Sequence, residues 1–441
     1  MPNKQKAFGL WSAVFLGIGS MVGAGIFVLL GEAGAIAGNL VWLSFILGGI
    51  IALLSGYSLA KLASAYPSRG GIVEYLVQGY GEGIFSGSVS VLFYLSAMIA
   101  IAMVAKTFGI YASMMMGSYS LLWANLYSIG ILLFFVIINL AGSASIAKSE
   151  NVIVIIKLSI IIIFTVAVFF YIKPELLSLK NAPPVMNVFS SVALTFFAYE
   201  GFRVITNTAE DMDNPSKTML KAMFISIGLV MVLYVAVTFA VFGNLSLSEI
   251  TKAQDYALAE AAKPAFGQIG FTIMAVAALI STASSINANL YAVTNVTYQM
   301  AKNGELPEAY ERNVWHSSEG LIISTLFLIL FILFFELDEI AAIGSISILF
   351  IHALVHIGHL FKIEKTGASK VLVILAILTI SIAIVLAFSY TSKHIPNVGY
   401  FIAGGFVLAF ILEIGLRLVT KRVVLKQIKG EGLWTKIVEK L

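Results

Sequence analysis

Cysteine is absent from the 441 residues, so neither disulfides nor thiol chemistry enters the reading, although no compartment follows from that. Charge is nearly as scarce. Only 11% of the residues are Asp, Glu, Lys or Arg, against about 25% in a soluble globular protein. With 59% hydrophobic residues and a mean hydropathy of +0.97, this scarcity excludes a soluble domain and identifies an integral membrane protein. No cleavable signal peptide is expected, because the first apolar segment is long and runs on without a processing site.

What is present is a succession of apolar runs of about 20 residues, the length that crosses a bilayer as a helix. Twelve are expected, at approximately 9–36, 39–66, 84–116, 121–142, 150–172, 186–206, 222–243, 268–300, 319–336, 338–361, 369–391 and 397–419. The basic residues between them are unequally shared. If both termini are cytoplasmic, Lys4, Lys6, Arg69, Lys148, Lys217, Lys221, Lys302, Arg312, Lys362, Lys365, Lys370, Arg417 and the basic residues of the tail after Val419 all face inward, against Lys173, Lys180, Lys252, Lys263 and Lys393 outside. That is the positive-inside pattern. The net charge of +4 then reflects topology and implies no nucleic-acid partner. The basic, amphipathic tail with Trp434 is expected to lie on anionic headgroups.

The least regular stretch is Gly17-Ile18-Gly19-Ser20-Met21-Val22-Gly23-Ala24-Gly25-Ile26-Phe27, in the middle of the first run. Each glycine there costs a helix about 1 kcal/mol relative to alanine. Irregular backbone survives inside a bilayer only where it is buried in protein or lines a polar cavity. A break exposes amides on one side and carbonyls on the other, which suits a zwitterion. The competing reading is close helix packing through Gly19-x-x-x-Gly23. The sixth run holds a second candidate break, Phe197-Ala198-Tyr199-Glu200-Gly201-Phe202-Arg203. Interruptions five spans apart point to an inverted-repeat transporter with its site near the midplane.

Three further features stand out. Lys157 is a lone charge within its span, about 7 residues or roughly 10 Å from the cytoplasmic end. It either snorkels to the interface or marks an ion path. Ser281, Ser284, Ser285 and Ala288 form a stripe on the eighth span. His352, His356 and His359 have i, i+4, i+7 spacing, which suits a metal, but no fourth ligand is evident and none is assigned. The external segment 244–268 reads as a surface helix capping the outer mouth.

Gly19–Phe27, Pro67-Ser68-Arg69-Gly70-Gly71, Phe197–Phe202, Glu210–Pro215 and Met300-Ala301-Lys302-Asn303-Gly304-Glu305-Leu306-Pro307 together resemble the amino acid–polyamine–organocation permease family, most closely its prokaryotic proton-coupled, broad-specificity members. The resemblance implies an all-α fold of twelve spans. Helices 1–10 form a five-plus-five inverted repeat like that of the bacterial leucine transporter (1–361), with helices 1 and 6 unwound. Accessory helices 11 and 12 (362–419) and the basic cytoplasmic tail (420–441) follow. It also implies that the substrate carboxylate binds at the amides of Gly23, Ala24 and Gly25. The amino group would bind at carbonyls of Met21, beside Val22, and of Phe197, Ala198 and Glu200, with Phe202 a core or gate aromatic. Sodium-dependent relatives of this fold hold sodium between spans 1 and 8, where the Lys157 ammonium would instead meet Gly19, Ser281 and Ser284. Lys61, Glu200 and Arg203 depart from the family pattern, and Glu200 either pairs with Arg203 or serves coupling.

The function expected is sodium-independent, proton-coupled amino acid symport by alternating access in the plasma membrane, with no cofactor beyond the proton. An exchanger without proton coupling is the nearest alternative. A channel would need a continuous polar stripe, and a membrane-embedded enzyme would need intramembrane catalytic groups, for which the histidines are the sole candidates.

Overall fold

A computed structural model describes residues 9–420 apart from 118–119, 142–145, 213, 304–305, 315–316 and 396–397. The expected basic tail beyond Thr420 lies outside the described residues, as do Gly304 and Glu305 of the Met300–Pro307 motif.

Among the described residues the regular structure is helical except for one antiparallel pair, Asn313–Val314 with Ser317–Ser318. The first expected span is three pieces: α1 (Leu10–Met21), α2 (Ala24–Phe27) and α3 (Leu29–Ala37). Gly38, at φ +56°, then breaks the chain before α4 (Val41–Ala65). A short α5 (Ile72–Tyr80) precedes α6 (Ile84–Met115), α7 (Leu121–Ala141) and α8 (Ile146–Phe169). The sixth span comprises α9 (Val185–Ser190), α10 (Val192–Tyr199) and a 3₁₀ helix, Glu200–Asp211. After α11 (Pro215–Phe242) come two short pieces, α12 (Leu247–Lys252) and α13 (Ala257–Glu260), then α14 (Lys263–Asn303). The chain closes with α15 (Glu319–Phe334), α16 (Leu337–Leu360), α17 (Ile363–Thr366), α18 (Lys370–His394) and α19 (Val398–Thr420). Ten helices among the described residues are long and apolar enough to cross a membrane, and Ile153–Phe169 and Glu319–Phe334 are shorter apolar ones. The protein is a multi-pass, all-helical membrane protein.

Three expectations need correction. Helix 6 does not unwind into coil at Glu200; it tightens into a 3₁₀ helix. Thr206 and Thr208 donate their hydroxyls to the carbonyls of Arg203 and Ile205, three residues back, which supports the narrower winding. The seventh span, expected as an apolar run over 222–243, extends back to the proline start that the sequence offers at Pro215, where the Asn214 side chain, accepting from Lys217 N at 3.3 Å, helps begin a helix in polar sequence. Hydropathy alone sees only its apolar remainder. The 244–268 segment is no single surface helix. Its alanines let it pack inward in short pieces, with Ala257, Leu258, Ala259, Ala261 and Ala262 buried.

The interrupted α1 and the 3₁₀ helix lie side by side, held among α4, α11 and α8, while α6 packs against α7, α14 and α16. On α7, α18 and α19 large apolar side chains face outward, among them Leu122, Phe134, Val385 and Leu418. Such faces suit contact with lipid tails.

Candidate substrate and coupling site

α1 ends at Met21 because Val22 leaves helical geometry, at φ −81° and ψ 74°. Val22 N donates to Ile18 O at 2.8 Å and Gly23 N to Met21 O at 2.9 Å, closing the helix end. α2 restarts at Ala24. A helix end leaves its last carbonyls, and a helix start its first amides, without intrahelical partners. Other spans supply partners for the carbonyls. The Lys157 ammonium, fully buried on α8, donates to Gly19 O at 2.7 Å. Ser281 on α14 donates to Val22 O at 2.9 Å. Ser284, one turn along α14, is buried too, and Ser285 stands over Gly23, where a Cβ would come within 2.8 Å of its Oγ. Tyr234 on α11 donates to Met21 O at 2.7 Å.

The same hydroxyl lies 3.2 Å from Ala198 O on the sixth span, so one side chain spans both interruptions. The two backbones touch directly. A Cβ on Gly201 would come within 2.6 Å of Ser20 O, and one on Gly25 within 2.6 Å of Ala198 O. Only glycine permits either approach. Met21, Val22, Gly23, Gly25, Ala198 and Glu200 are thus gathered at one place. Phe197 is buried beside Gly344 and Ile99. Phe202 is fully buried, its ring 6.2 Å from Phe196 and 5.7 Å from the His352 imidazole.

Glu200 is buried between the Arg203 guanidinium and the His352 imidazole. Its Oε1 lies 2.6 Å from Arg203 Nε, the pairing suggested by their i, i+3 spacing, and its Oε2 lies 3.1 Å from His352 Nε2. Removing one member of a buried pair strands the other, at a cost of about 3–5 kcal/mol. The three histidines turn toward hydroxyls: His352 Nδ1 and His356 Nε2 lie 2.8 and 2.9 Å from Ser55 Oγ, and His359 Nδ1 lies 2.7 Å from Ser58 Oγ. No set of three or more metal-binding side chains converges among the described residues. Sequence reasoning missed Tyr234, Ser55 and Ser58. The i, i+3 spacing of the serines, matching the helical spacing of the histidines, was the available signal for that pair; Tyr234 had none.

Polar contacts lie beyond both interrupted spans. At one end Arg69, from the Pro67–Gly71 turn, meets Asp211 at 2.8 Å and Glu210 at 3.7 Å. At the other, the carbonyl of Gln254 lies where a Cβ on Gly31 would stand. Glu32 on α3 is close to Asp255 there, and Gln254 Nε2 donates to its Oε1 at 3.4 Å. Burial, together with the nearby Asp338 charge, pushes the Asp255 carboxyl up to about 6. Asp255 also lines a cavity of about 320 Å³ with Lys106, Asn125, Glu336 and Asp338.

Two interrupted spans meeting backbone to backbone inside a multi-pass helical protein form a site of the kind a membrane transport protein carries. Comparison with known proteins makes this specific: residues 8–420 match the amino acid permease family, and the chain belongs to it. It is 38% identical over 426 residues to an uncharacterized protein of Methanocaldococcus jannaschii, covering 96% of this chain and 98% of that one. It is 34% identical over 386 residues to the inner membrane transport protein YbaT of Escherichia coli, covering 87% and 90%. It is 29% identical over 331 residues to the serine/threonine exchanger SteT of Bacillus subtilis, covering 71% and 72%.

Proposed function

We propose that the protein is a sodium-independent, proton-coupled amino acid symporter working by alternating access. The observation that carries this reading is the buried Lys157 ammonium on Gly19 O, with Ser281 on the neighbouring Val22 O, at the break of the first span. A fixed positive charge there takes the place a sodium ion would need. Desolvation disfavours an ammonium relative to the neutral amine, so the same nitrogen is suited to release its proton once per cycle. Protonated, it ties α8 to α1; neutral, it loses the charge assistance of that bond and lets the two groups of helices rock.

The substrate carboxylate would sit on the amides of Gly23, Ala24 and Gly25, and its ammonium among carbonyls of Met21, Phe197, Ala198 and Glu200. Phe202, packed on His352, would help hold the 3₁₀ helix as the site closes. In this reading the ten long and two shorter apolar helices are twelve spans. Ten make a five-plus-five repeat through residue 361, and 362–419 add two accessory helices. Both termini lie in the cytoplasm, the membrane is the plasma membrane, and the proton is the only coupling agent. The test is uptake by purified protein in liposomes with and without an inward proton gradient. Accumulation that ignores the gradient would overturn the reading.

An exchanger without proton coupling is the second reading, favoured by the name of the Bacillus subtilis relative. It predicts uptake only when the liposomes are preloaded with amino acid.

A further inference from the structure

The Lys157 reading leaves a second set of buried polar groups unused. It runs from the helix-6 interruption along the α4–α16 contact. Glu200 Oε2 lies 3.1 Å from His352 Nε2, at ion-pair distance without straight hydrogen-bond geometry. Across the ring, His352 Nδ1 lies 2.8 Å from Ser55 Oγ, which lies 2.9 Å from His356 Nε2. His356 Nδ1 is buried and has no hydrogen-bond partner among the described residues. One helical turn further, His359 Nδ1 lies 2.7 Å from Ser58 Oγ, and His359 Nε2 lies 2.8 Å from Thr366 Oγ1, at the end of α17 beyond the span. All three imidazoles are essentially inaccessible to solvent.

We propose that Glu200, His352, Ser55, His356, His359 and Thr366 form a proton relay between the helix-6 interruption and the α16–α18 connection at the membrane face. The inference deepens the proton-coupled reading and rests on it: it supplies the exit route for protons that accompany substrate. The arrangement of Ser55 favours this over a purely architectural role. A serine hydroxyl has one proton and two lone pairs, yet it stands between two ring nitrogens, so it donates to one and accepts from the other. Protonated Glu200 passes its proton to His352 Nε2, and His352 releases the one on Nδ1 to Ser55 Oγ. Ser55 hands its own proton to His356 Nε2. His352 and Ser55 each gain one proton and lose one, Glu200 is left ionised and His356 carries the extra proton onward, so the chain resets by ring and hydroxyl reorientation.

The remaining hop, from His356 Nδ1 to the His359 end, covers neighbours three apart on one helix face, roughly 5–6 Å between Cβ atoms. The proposal requires one bridging water there, meeting His356 Nδ1 and the Ser58–His359 pair. The charged and titratable groups that face the chain are Arg203 on Glu200, Lys61 of α4 near His359, and Tyr80 of α5, which donates to Leu354 O at 2.7 Å.

The test uses the full-length protein in liposomes loaded with a pH-sensitive dye. Wild type, Ser55→Ala, Ser55→Thr and His356→Gln are compared for substrate-coupled proton influx and for substrate counterflow at equal pH. Positioned proton-transfer groups contribute about 10²–10⁴-fold. The relay therefore predicts that Ser55→Ala and His356→Gln lose proton influx by about tenfold or more. Counterflow stays within about twofold, and Ser55→Thr, which restores the hydroxyl, restores influx. Proton influx retained by both Ser55→Ala and His356→Gln overturns the relay. Loss of counterflow together with influx in both variants also counts against it, because the groups would then be architectural. Absence of proton influx in wild type refutes the symport reading itself, a separate result.

Discussion

Arg69 Nη2 lies 2.8 Å from Asp211 Oδ1, joining the turn after the second span to the end of the sixth. The pair is more than half exposed on the arginine side, and exposed pairs contribute only about 0–1 kcal/mol. Its importance is positional, since it ties down the 3₁₀ helix at one face. Asp211→Asn should leave the melting temperature nearly unchanged yet increase access to the interior from that face. The protein has no native cysteine, so a single cysteine at Ser20 can be labelled without background. Unchanged labelling in Asp211→Asn would show the pair is not a latch.

Gly25→Val tests the backbone site. The added side chain meets Ala198 O and the Tyr234 hydroxyl, so amino acid binding should be lost while folded protein remains in the membrane. Calorimetry or scintillation proximity reads the binding. In wild type, amino acid amides and esters should compete poorly, since they lack the carboxylate. Equal competition would place the anchor elsewhere.

Lys157→Ala should abolish accumulation driven by a proton gradient and leave counterflow measurable. Transport by wild type should be equal in choline, potassium and sodium buffers. A steep sodium requirement, or proton-driven accumulation in the variant, would remove Lys157 from coupling.

Asp255 sets a pH expectation at the opposite end. Its carboxyl is raised from the ordinary 3.8 to about 6 by burial, so the folded protein holds that proton more tightly than an exposed side chain does. This contribution therefore favours the folded arrangement most at low pH. It is lost as pH rises between about 4 and 6, and is flat above. Glu32, Asp338 and Glu336 belong to the same cluster and Lys106 opposes them. Asp255→Asn should flatten the slope of thermal stability between pH 4 and 6 in detergent. An identical slope in the variant would assign it to another group.

The ten long apolar helices were legible because bilayer thickness writes such a span as an apolar run. Gly17–Phe27 and Glu200-Gly201 were legible because glycine and charge are costly at mid-membrane. The form of the second interruption was not, since 3₁₀ winding depends on Thr206 and Thr208 hydroxyls and on Gly201 meeting Ser20. Long-range partners were hidden for the same reason. Tyr234 is a single tyrosine inside a long apolar run with nothing in sequence to name its partners, and Ser55 reads as filler until α4 is laid against α16. The inward packing of Ala257–Ala262 depends on the fit of small side chains, which hydropathy does not record.

The contact of Gly201 with Ser20 has a consequence for how such a protein diversifies. On the reading proposed above, the substrate's ends are held by main chain, which presents the same amides and carbonyls whatever the surrounding side chains become. Point mutation can therefore remodel the walls that meet a substrate's variable group while the grip on its invariant ends persists. New selectivities then arise by gradual drift, without passing through an inactive ancestor.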